Sequence, residues 1–332
     1  MSAGKRARLR RVSNREGVIA ALAIDQRSAL RGLFAKAKGT EPQAIPGRML
    51  EEFKAAVSRV LTPHASAILL DPEFGLPAAG QRAASAGLLL AYEQTGYDKA
   101  VEGRLPRLLD QWSVRRLLEA GADCVKVLLY YSPFSPPAVN EVKHAWVERV
   151  GAECAALDAP FFLELVVYHD AMNEKSLEFA RIKPESVVKS LDQFSLPGYG
   201  VDVFKVGLAV NMAFVGEGGE FAYTREEAKA HLRRAAEAAK KPFIYLSEGV
   251  SNHTFDQALA LVAEAGVRFQ GVLCGRATWK DGADIYATRG PAALEAWLAD
   301  EGVQNIERVN RRLAAASAWP GFHEDRSGRP AG

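Results

Sequence analysis

The chain has 332 residues, 48% apolar and 25% charged, with a formal net charge of +2. That much apolar material excludes a disordered or low-complexity protein, and the near-neutral balance singles out neither nucleic acid nor an acidic surface as partner. Three scattered cysteines, Cys124, Cys154 and Cys274, make neither a disulfide framework nor a zinc cluster, and no apolar run approaches membrane-spanning length, so a reducing cytoplasm is the expected setting.

The basic cluster Lys5, Arg6, Arg8, Arg10 and Arg11 lacks the interleaved aromatics of a nucleic-acid surface and is read as a solvated first helix within residues 1–16. No apolar stretch of the secretory kind follows it. Val18 to Ile24 is a short apolar run that ends in Asp25, Gln26 and Arg27 and gives way to a helical pattern through Leu33. Ala65 to Leu70 repeats that shape and ends at Asp71, with helical spacing from Met49 to Val60 in between. Gly87 to Tyr92 ends at Glu93, and a helix over Trp112 to Leu118 is stopped by Gly121. Cys124 to Tyr131 is the fourth strand, followed by a helix from Asn140 to about Ala156, and Phe161 to Tyr168 is the fifth, followed by a helix from Pro184 to Phe194.

Gly200 to Asn211 reads as the sixth strand, and the capping box Thr224-Arg-Glu-Glu227 opens a helix to about Ala239. Phe243 to Ser247 is the seventh strand, Thr254 to Ala265 a helix stopped by Gly266, and Gly271 to Gly275 the eighth strand. Helices over Pro291 to Leu298 and Asn305 to Ala316 close the chain, and residues 320–332 read as a flexible tail. Eight apolar strands alternating with helices, with no break in composition, predict one (β/α)8 barrel domain over residues 1–332. A doubly wound open sheet is the alternative, disfavoured because no glycine-rich dinucleotide loop follows the first strand.

Three polar residues interrupt the central strands: Lys126 on the fourth, Glu164 on the fifth and Lys205 on the sixth. In a barrel these are neighbours whose side chains can converge in one mouth, where chemistry sits at the strand ends. A buried lysine is a candidate nucleophile toward a ketone, because desolvation or a second cation, here Lys126, favours the neutral amine. Glu164 is then the proton carrier and Asp25 a group that orients the lysines or binds hydroxyls, the alternative being a structural ion-pair network. Ser247, Glu248 and Gly249 after the seventh strand, and Gly275 and Arg276 after the eighth, stand where such barrels bind phosphate. Gln26 and Arg27 are further substrate-binding candidates, Arg27 binding a distal phosphate or pairing with Asp71. The six histidines show no ligand spacing, so no metal is expected, and Tyr130 and Tyr131 are either pocket lining or packing.

Ala23-Ile-Asp-Gln-Arg27, Ala65-Ser-Ala-Ile-Leu-Leu-Asp-Pro-Glu-Phe-Gly-Leu-Pro-Ala-Ala79, Lys126-Val-Leu-Leu-Tyr-Tyr131, Pro160-Phe-Phe-Leu-Glu164 and Gly271-Val-Leu-Cys-Gly-Arg-Ala-Thr-Trp279 closely resemble class I tagatose 1,6-bisphosphate aldolases, a likeness running from about Gly17 to Trp319. The resemblance implies a barrel without metal or cofactor that reversibly cleaves a ketose bisphosphate to dihydroxyacetone phosphate and glyceraldehyde 3-phosphate. It implies Lys205 as the Schiff-base lysine, Glu164 as proton shuttle, Lys126 and Asp25 in the pocket, and Ser247, Gly275 and Arg276 on phosphate. A sister group with the same framework cleaves 6-deoxy-6-sulfofructose 1-phosphate, and a homologue weakened in catalysis that only binds a sugar phosphate is a further alternative. An assembly of like copies is expected of a barrel enzyme.

Two departures stand out. The family reads Lys-Val-Glu-x-Pro where this chain has Lys205-Val-Gly-Leu-Ala209, and a small residue where this chain has Glu248. Alternation along a strand puts position 207 on the face of Lys205. The expectation is therefore that Glu248 restores the missing charge beside Lys205; it fails if Glu248 points into the helix layer, and the departures then signal an altered substrate or weakened catalysis.

Overall fold

A computed structural model describes residues 1–95, 97 and 101–323. Its strands are β1 (Ile19–Ala23), β2 (Ala67–Leu70), β3 (Gly87–Ala91), β4 (Cys124–Tyr131), β5 (Phe161–Val167), β6 (Val203–Val206), β7 (Phe243–Tyr245) and β8 (Gly271–Cys274). Each pairs in parallel with the next, and β8 returns to β1 in the register Ile19↔Gly271 to Leu22↔Cys274, so the sheet closes into a barrel and the open-sheet alternative falls away. The helices are α1 (Ala3–Arg11), α2 (Ser28–Lys38), α3 (Gly47–Leu61), α4 (Leu76–Ala79), α5 (Val114–Glu119), α6 (Pro137–Ala156), α7 (Leu177–Phe194), α8 (Arg225–Ala238), α9 (Asn252–Glu264), α10 (Arg276–Arg289), α11 (Pro291–Trp297) and α12 (Val303–Arg312). None of the described helices is long and apolar enough to cross a membrane.

The alternation of a strand divides the core in two. Ile19, Ala21 and Ala23 point inward with Ala67, Leu69, Leu89, Ala91, Phe162, Val203, Ile244 and Leu273, while Ala20, Leu22 and Ile24 point outward against the helices. Alanines on β1 and β2 leave room inside for Phe162, which is how a small barrel fills without a pore.

Helix α1 is not a solvated extension. Leu9 and Val12 belong to the inner core together with Trp319 and Phe322, so both ends of the described chain close the floor of the barrel where the strands begin. Lys5 is buried and its Nζ lies 2.6 Å from Asp202 Oδ2, just ahead of β6. A Cβ on Gly87 would come within 2.4 Å of the Arg11 carbonyl, so this backbone approach requires glycine. The expected tail is thus packed as far as Phe322, and from residue 324 onward it lies outside the described residues.

Three other expectations are corrected. The sixth strand spans only Val203–Val206, because the chain leaves the sheet at Gly207. Helix α7 starts at Leu177, not Pro184, with Ser176 accepting from the Phe179 N–H as N-cap. Pro184 sits inside it and cannot donate to the carbonyl of Ala180, which accepts instead from the Tyr223 hydroxyl at 2.5 Å. The chain after Gly275 forms α10, whose buried face carries Ala277, Trp279, Ala283 and Tyr286, and the Trp279 Nε1–H donates to the Ala23 carbonyl at 2.8 Å.

Candidate active site

The polar layer lies at the C-terminal end of the strands. Register pairs Ala91 with Lys126 and Glu164 with Lys205, and all three polar side chains face inward. Lys126 Nζ is 2.7 Å from Asp25 Oδ2, 2.7 Å from Glu93 Oε1 and 2.8 Å from Glu164 Oε2. Lys205 Nζ lies 2.8 Å from the same Glu164 oxygen, so one carboxylate bridges two amines. All five side chains are buried, Lys126 completely.

Burial alone would raise the Asp25 carboxyl, but Lys126 and Lys205 outweigh it and hold the acid well below the usual carboxylate range. Glu164 shows the same contest and the same lowered outcome. For Glu93 burial wins over Lys126 and Arg27, and its carboxyl is raised. Burial would lower Lys126, yet Asp25, Glu164 and Glu93 together push its ammonium well above the ordinary value. The expected repulsion between the two lysines is therefore offset by the acids around Lys126. What stands next to the Lys205 amine is a proton acceptor.

Around this layer the expected anion-binding residues come together on one side. Ser247 is buried at the end of β7, and Gly249, at φ +80°, lies so close to Arg276 that a Cβ would meet the guanidinium carbon at 2.6 Å. Gly275 stands before α10 with no side-chain cap, so the first amides of a long helix are left for an anion. Gln26 Nε2 donates to Asp25 Oδ1 at 3.1 Å, and a Cβ on Gly275 would reach within 3.5 Å of it.

Two expectations in the same region are overturned. Arg27 pairs with Glu73 at 2.5 Å and donates to the Glu93 carbonyl at 2.8 Å, while Asp71 is taken by Lys54, so Arg27 does not pair with Asp71. Glu248 points into the helix layer, with both carboxylate oxygens 2.9 Å from Lys183 Nζ on α7. A Cβ on Gly207 would meet the Glu248 carboxylate at 2.3 Å, so position 207 faces that ion pair and not Lys205. The charge lost at 207 is replaced beside Lys183, and the compensation idea for Lys205 fails.

Of the two tyrosines, Tyr130 packs its ring edge-on to Tyr97 at 4.9 Å beneath the Arg104 guanidinium, while Tyr131 turns to the helix layer against His144 and Phe194. His169 accepts from the Ala171 N–H in a loop. Glu93 escaped the sequence reading. It ends β3 as Asp25 ends β1, and an acid directly after an inward-facing apolar run was the signal.

Residues 19–281 match the DeoC/LacD family aldolase. The chain is 51% identical over 324 residues to tagatose 1,6-diphosphate aldolase 2 of Enterococcus faecalis (strain ATCC 700802 / V583), covering 96% of each. It is 47% identical over 314 residues to the tagatose 1,6-diphosphate aldolase of Listeria monocytogenes serotype 4b (strain CLIP80459), covering 93% of this chain and 91% of the relative. Among solved structures, a fructose-bisphosphate aldolase from Plasmodium falciparum superposes with a TM-score of 0.67 at 15% identity over 96% of this chain and 95% of that one, a likeness of fold.

Proposed function

Because the chain belongs to the DeoC/LacD family of aldolases, we propose that its polar layer is a Schiff-base site that reversibly cleaves D-tagatose 1,6-bisphosphate to dihydroxyacetone phosphate and glyceraldehyde 3-phosphate. The protein is an aldolase, a lyase of carbohydrate metabolism. The observation that carries the mechanism is the single Glu164 oxygen held 2.8 Å from both Lys205 Nζ and Lys126 Nζ.

In this reading the Lys205 amine gives a proton to Glu164 and attacks the C2 ketone, and loss of water leaves an iminium. The iminium draws in the electron pair of the C3–C4 bond as it breaks, while the C4 hydroxyl loses its proton and glyceraldehyde 3-phosphate departs. Glu164 is placed to move these protons and to protonate the enamine, and Asp25 holds Lys126 and a substrate hydroxyl. Ser247, Gly249, Gly275 and Arg276 bind one phosphate through a hydroxyl, loop amides and a guanidinium, with Gln26 beside them. Position 207 faces the Glu248–Lys183 ion pair and not the amine, so the Gly207 departure lies away from the reacting groups. This is what speaks against the weakened-homologue alternative, although Glu248 does not stand beside Lys205. A cytoplasmic setting, supported by three free buried cysteines, and an assembly of like copies belong to the same reading.

Borohydride added with dihydroxyacetone phosphate should fix one reduced adduct on Lys205, located by peptide mass spectrometry. Lys143 is the internal control, a second buried amine that burial pushes down to about 8 and that donates to the Tyr168 hydroxyl at 3.0 Å. Adduct on Lys143, or a Lys205→Met protein that cleaves at the parental rate, overturns the assignment. Competition between tagatose 1,6-bisphosphate and 6-deoxy-6-sulfofructose 1-phosphate reads out the substrate.

A further inference from the structure

Glu248 has no part in the mechanism just given, yet it stands in the middle of the loop that carries Ser247 and Gly249. The Val250 N–H donates to the Ser247 carbonyl at 3.0 Å, and the two residues between them have φ +50° and +80°, so the loop is a tight turn whose central residues are both left-handed. Gly249 adopts that conformation freely and a glutamate does not; asparagine before glycine is the pair such a turn prefers. The side chain of Glu248 supplies the restraint that its backbone lacks. It passes Gly207, where a Cβ would meet its carboxylate at 2.3 Å, and ends with both oxygens 2.9 Å from Lys183 Nζ on α7.

The turn meets Arg276 at Gly249. A Cβ on Gly249 would lie 2.6 Å from the guanidinium carbon, 2.7 Å from Nη2 and 2.9 Å from Nη1. The carbon is the nearest of the three, so the turn lies against the flat face of the guanidinium, and the N–H groups point along the plane, clear of the turn. Among the described residues no hydrogen bond or ion pair holds that guanidinium. Its donors are left for an anion, and a planar fork binds phosphate well only when it is correctly oriented.

We propose that Glu248 is a positioning residue for the substrate phosphate. Anchored on Lys183, it keeps the Ser247–Val250 turn in its left-handed form, and the turn keeps the Arg276 guanidinium in the plane from which its N–H groups meet the anion. A helix outside the barrel thus sets the phosphate site, and the missing side chain at Gly207 is the gap through which it does so. Phosphate affinity depends on this pair. The chemistry at Lys205 does not, because the pair lies in the helix layer and the amine faces inward.

The inference rests on the reading of Ser247, Gly249, Gly275 and Arg276 as a phosphate site, and the test separates the two. Arg276→Met should relieve the competitive inhibition of cleavage by inorganic phosphate; if it does not, the phosphate reading fails and this inference with it. Lys183→Met removes the anchor and leaves an apolar side chain in its place. Its inhibition constant for inorganic phosphate and its KM for tagatose 1,6-bisphosphate should rise together by about tenfold, the loss of one well-directed charged hydrogen bond, with kcat little changed. Borohydride trapping of dihydroxyacetone, which carries no phosphate, should proceed at Lys205 at the parental rate. Adding Glu248→Asn to Lys183→Met should recover most of the phosphate affinity, because the turn then holds itself. On the Arg276→Met background Lys183→Met should change KM no further. With a normal response to Arg276→Met, unchanged phosphate inhibition in Lys183→Met overturns the inference. So does a further loss on top of Arg276→Met, a fall in dihydroxyacetone trapping, or no recovery from Glu248→Asn. A thermal melt of each variant guards against misfolding, and if Lys183→Met unfolds, phosphate inhibition of Glu248→Gln decides.

Discussion

Glu248 is held at φ +50°, a conformation that costs a residue with a Cβ about 1 kcal/mol or more. It stays there because its carboxylate is the counter-charge of Lys183, whose side chain is only 7% exposed. Leaving that buried ammonium unpaired costs more than the roughly 1–3 kcal/mol of a neutral buried group, and so outweighs the backbone strain that glycine at 248 would relieve. Glu248→Gly should therefore lower the melting temperature despite relieving strain. Gly207→Glu alone should also lower it, since its Cβ would lie 2.3 Å from the Glu248 carboxylate. Together they should recover stability, because the vacated space lets a carboxylate from 207 reach Lys183. Melting the four proteins of this cycle should give a favourable coupling of about 1 kcal/mol or more, and additive effects would show that the two positions do not share the space.

At the scale of elements, the floor and the mouth of the barrel are separate structures. Leu9 on α1 is fully buried among Ile19, Leu89, Trp319 and Phe322, and Leu9→Ala should cost about 2–5 kcal/mol as a cavity opens. The polar layer lies at the other end of the strands, so cleavage measured well below the melting temperature should keep the parental kcat and KM. A change in either would mean that the floor positions the site. Legibility also varied by element. β4 is legible over Cys124–Tyr131 because residues on both its faces are buried and Lys126 is the one polar break in its run. β6 was read too long, since Gly207 to Val210 stays apolar after leaving the sheet and nothing local marks the exit. α10 was missed because its buried face is made mostly of small and polar residues, Ala277, Thr278, Gly282 and Ala283 among them, around Trp279 and Tyr286. The converging trio Lys126, Glu164 and Lys205 was visible as polar breaks in apolar strands. Lys183 was not, because a lysine on an amphipathic helix reads as surface until the loop carrying Glu248 folds over it.

For the whole molecule, the charge balance of the barrel decides how stability follows pH. Asp25 and Glu164 have folded values below their ordinary ones, near 4, so their contribution is present above that range and is lost as pH falls through the folded values. Lys126 is raised above its ordinary value, so its contribution is full at neutral pH and is lost only as pH rises past that folded value. Glu93, whose folded carboxyl is raised, works the other way, opposing folding as pH climbs from about 4.3 through its folded value. Removing Lys126 places all three acids on Glu93's side of this balance. Lys126→Met leaves Asp25, Glu93 and Glu164 buried with Lys205 as their one remaining cation in the layer, a loss of about 3–5 kcal/mol at pH 7 for breaking a buried ion cluster. The acids then relieve it by taking up protons, so the variant should gain melting temperature as pH is lowered from 8 to 5, more steeply than the parent, whose Asp25 and Glu164 stay ionised throughout. Scanning calorimetry across that interval measures both slopes. A variant that tracks the parent at constant offset would mean that Lys126 contributes packing alone and that the acids do not share its charge.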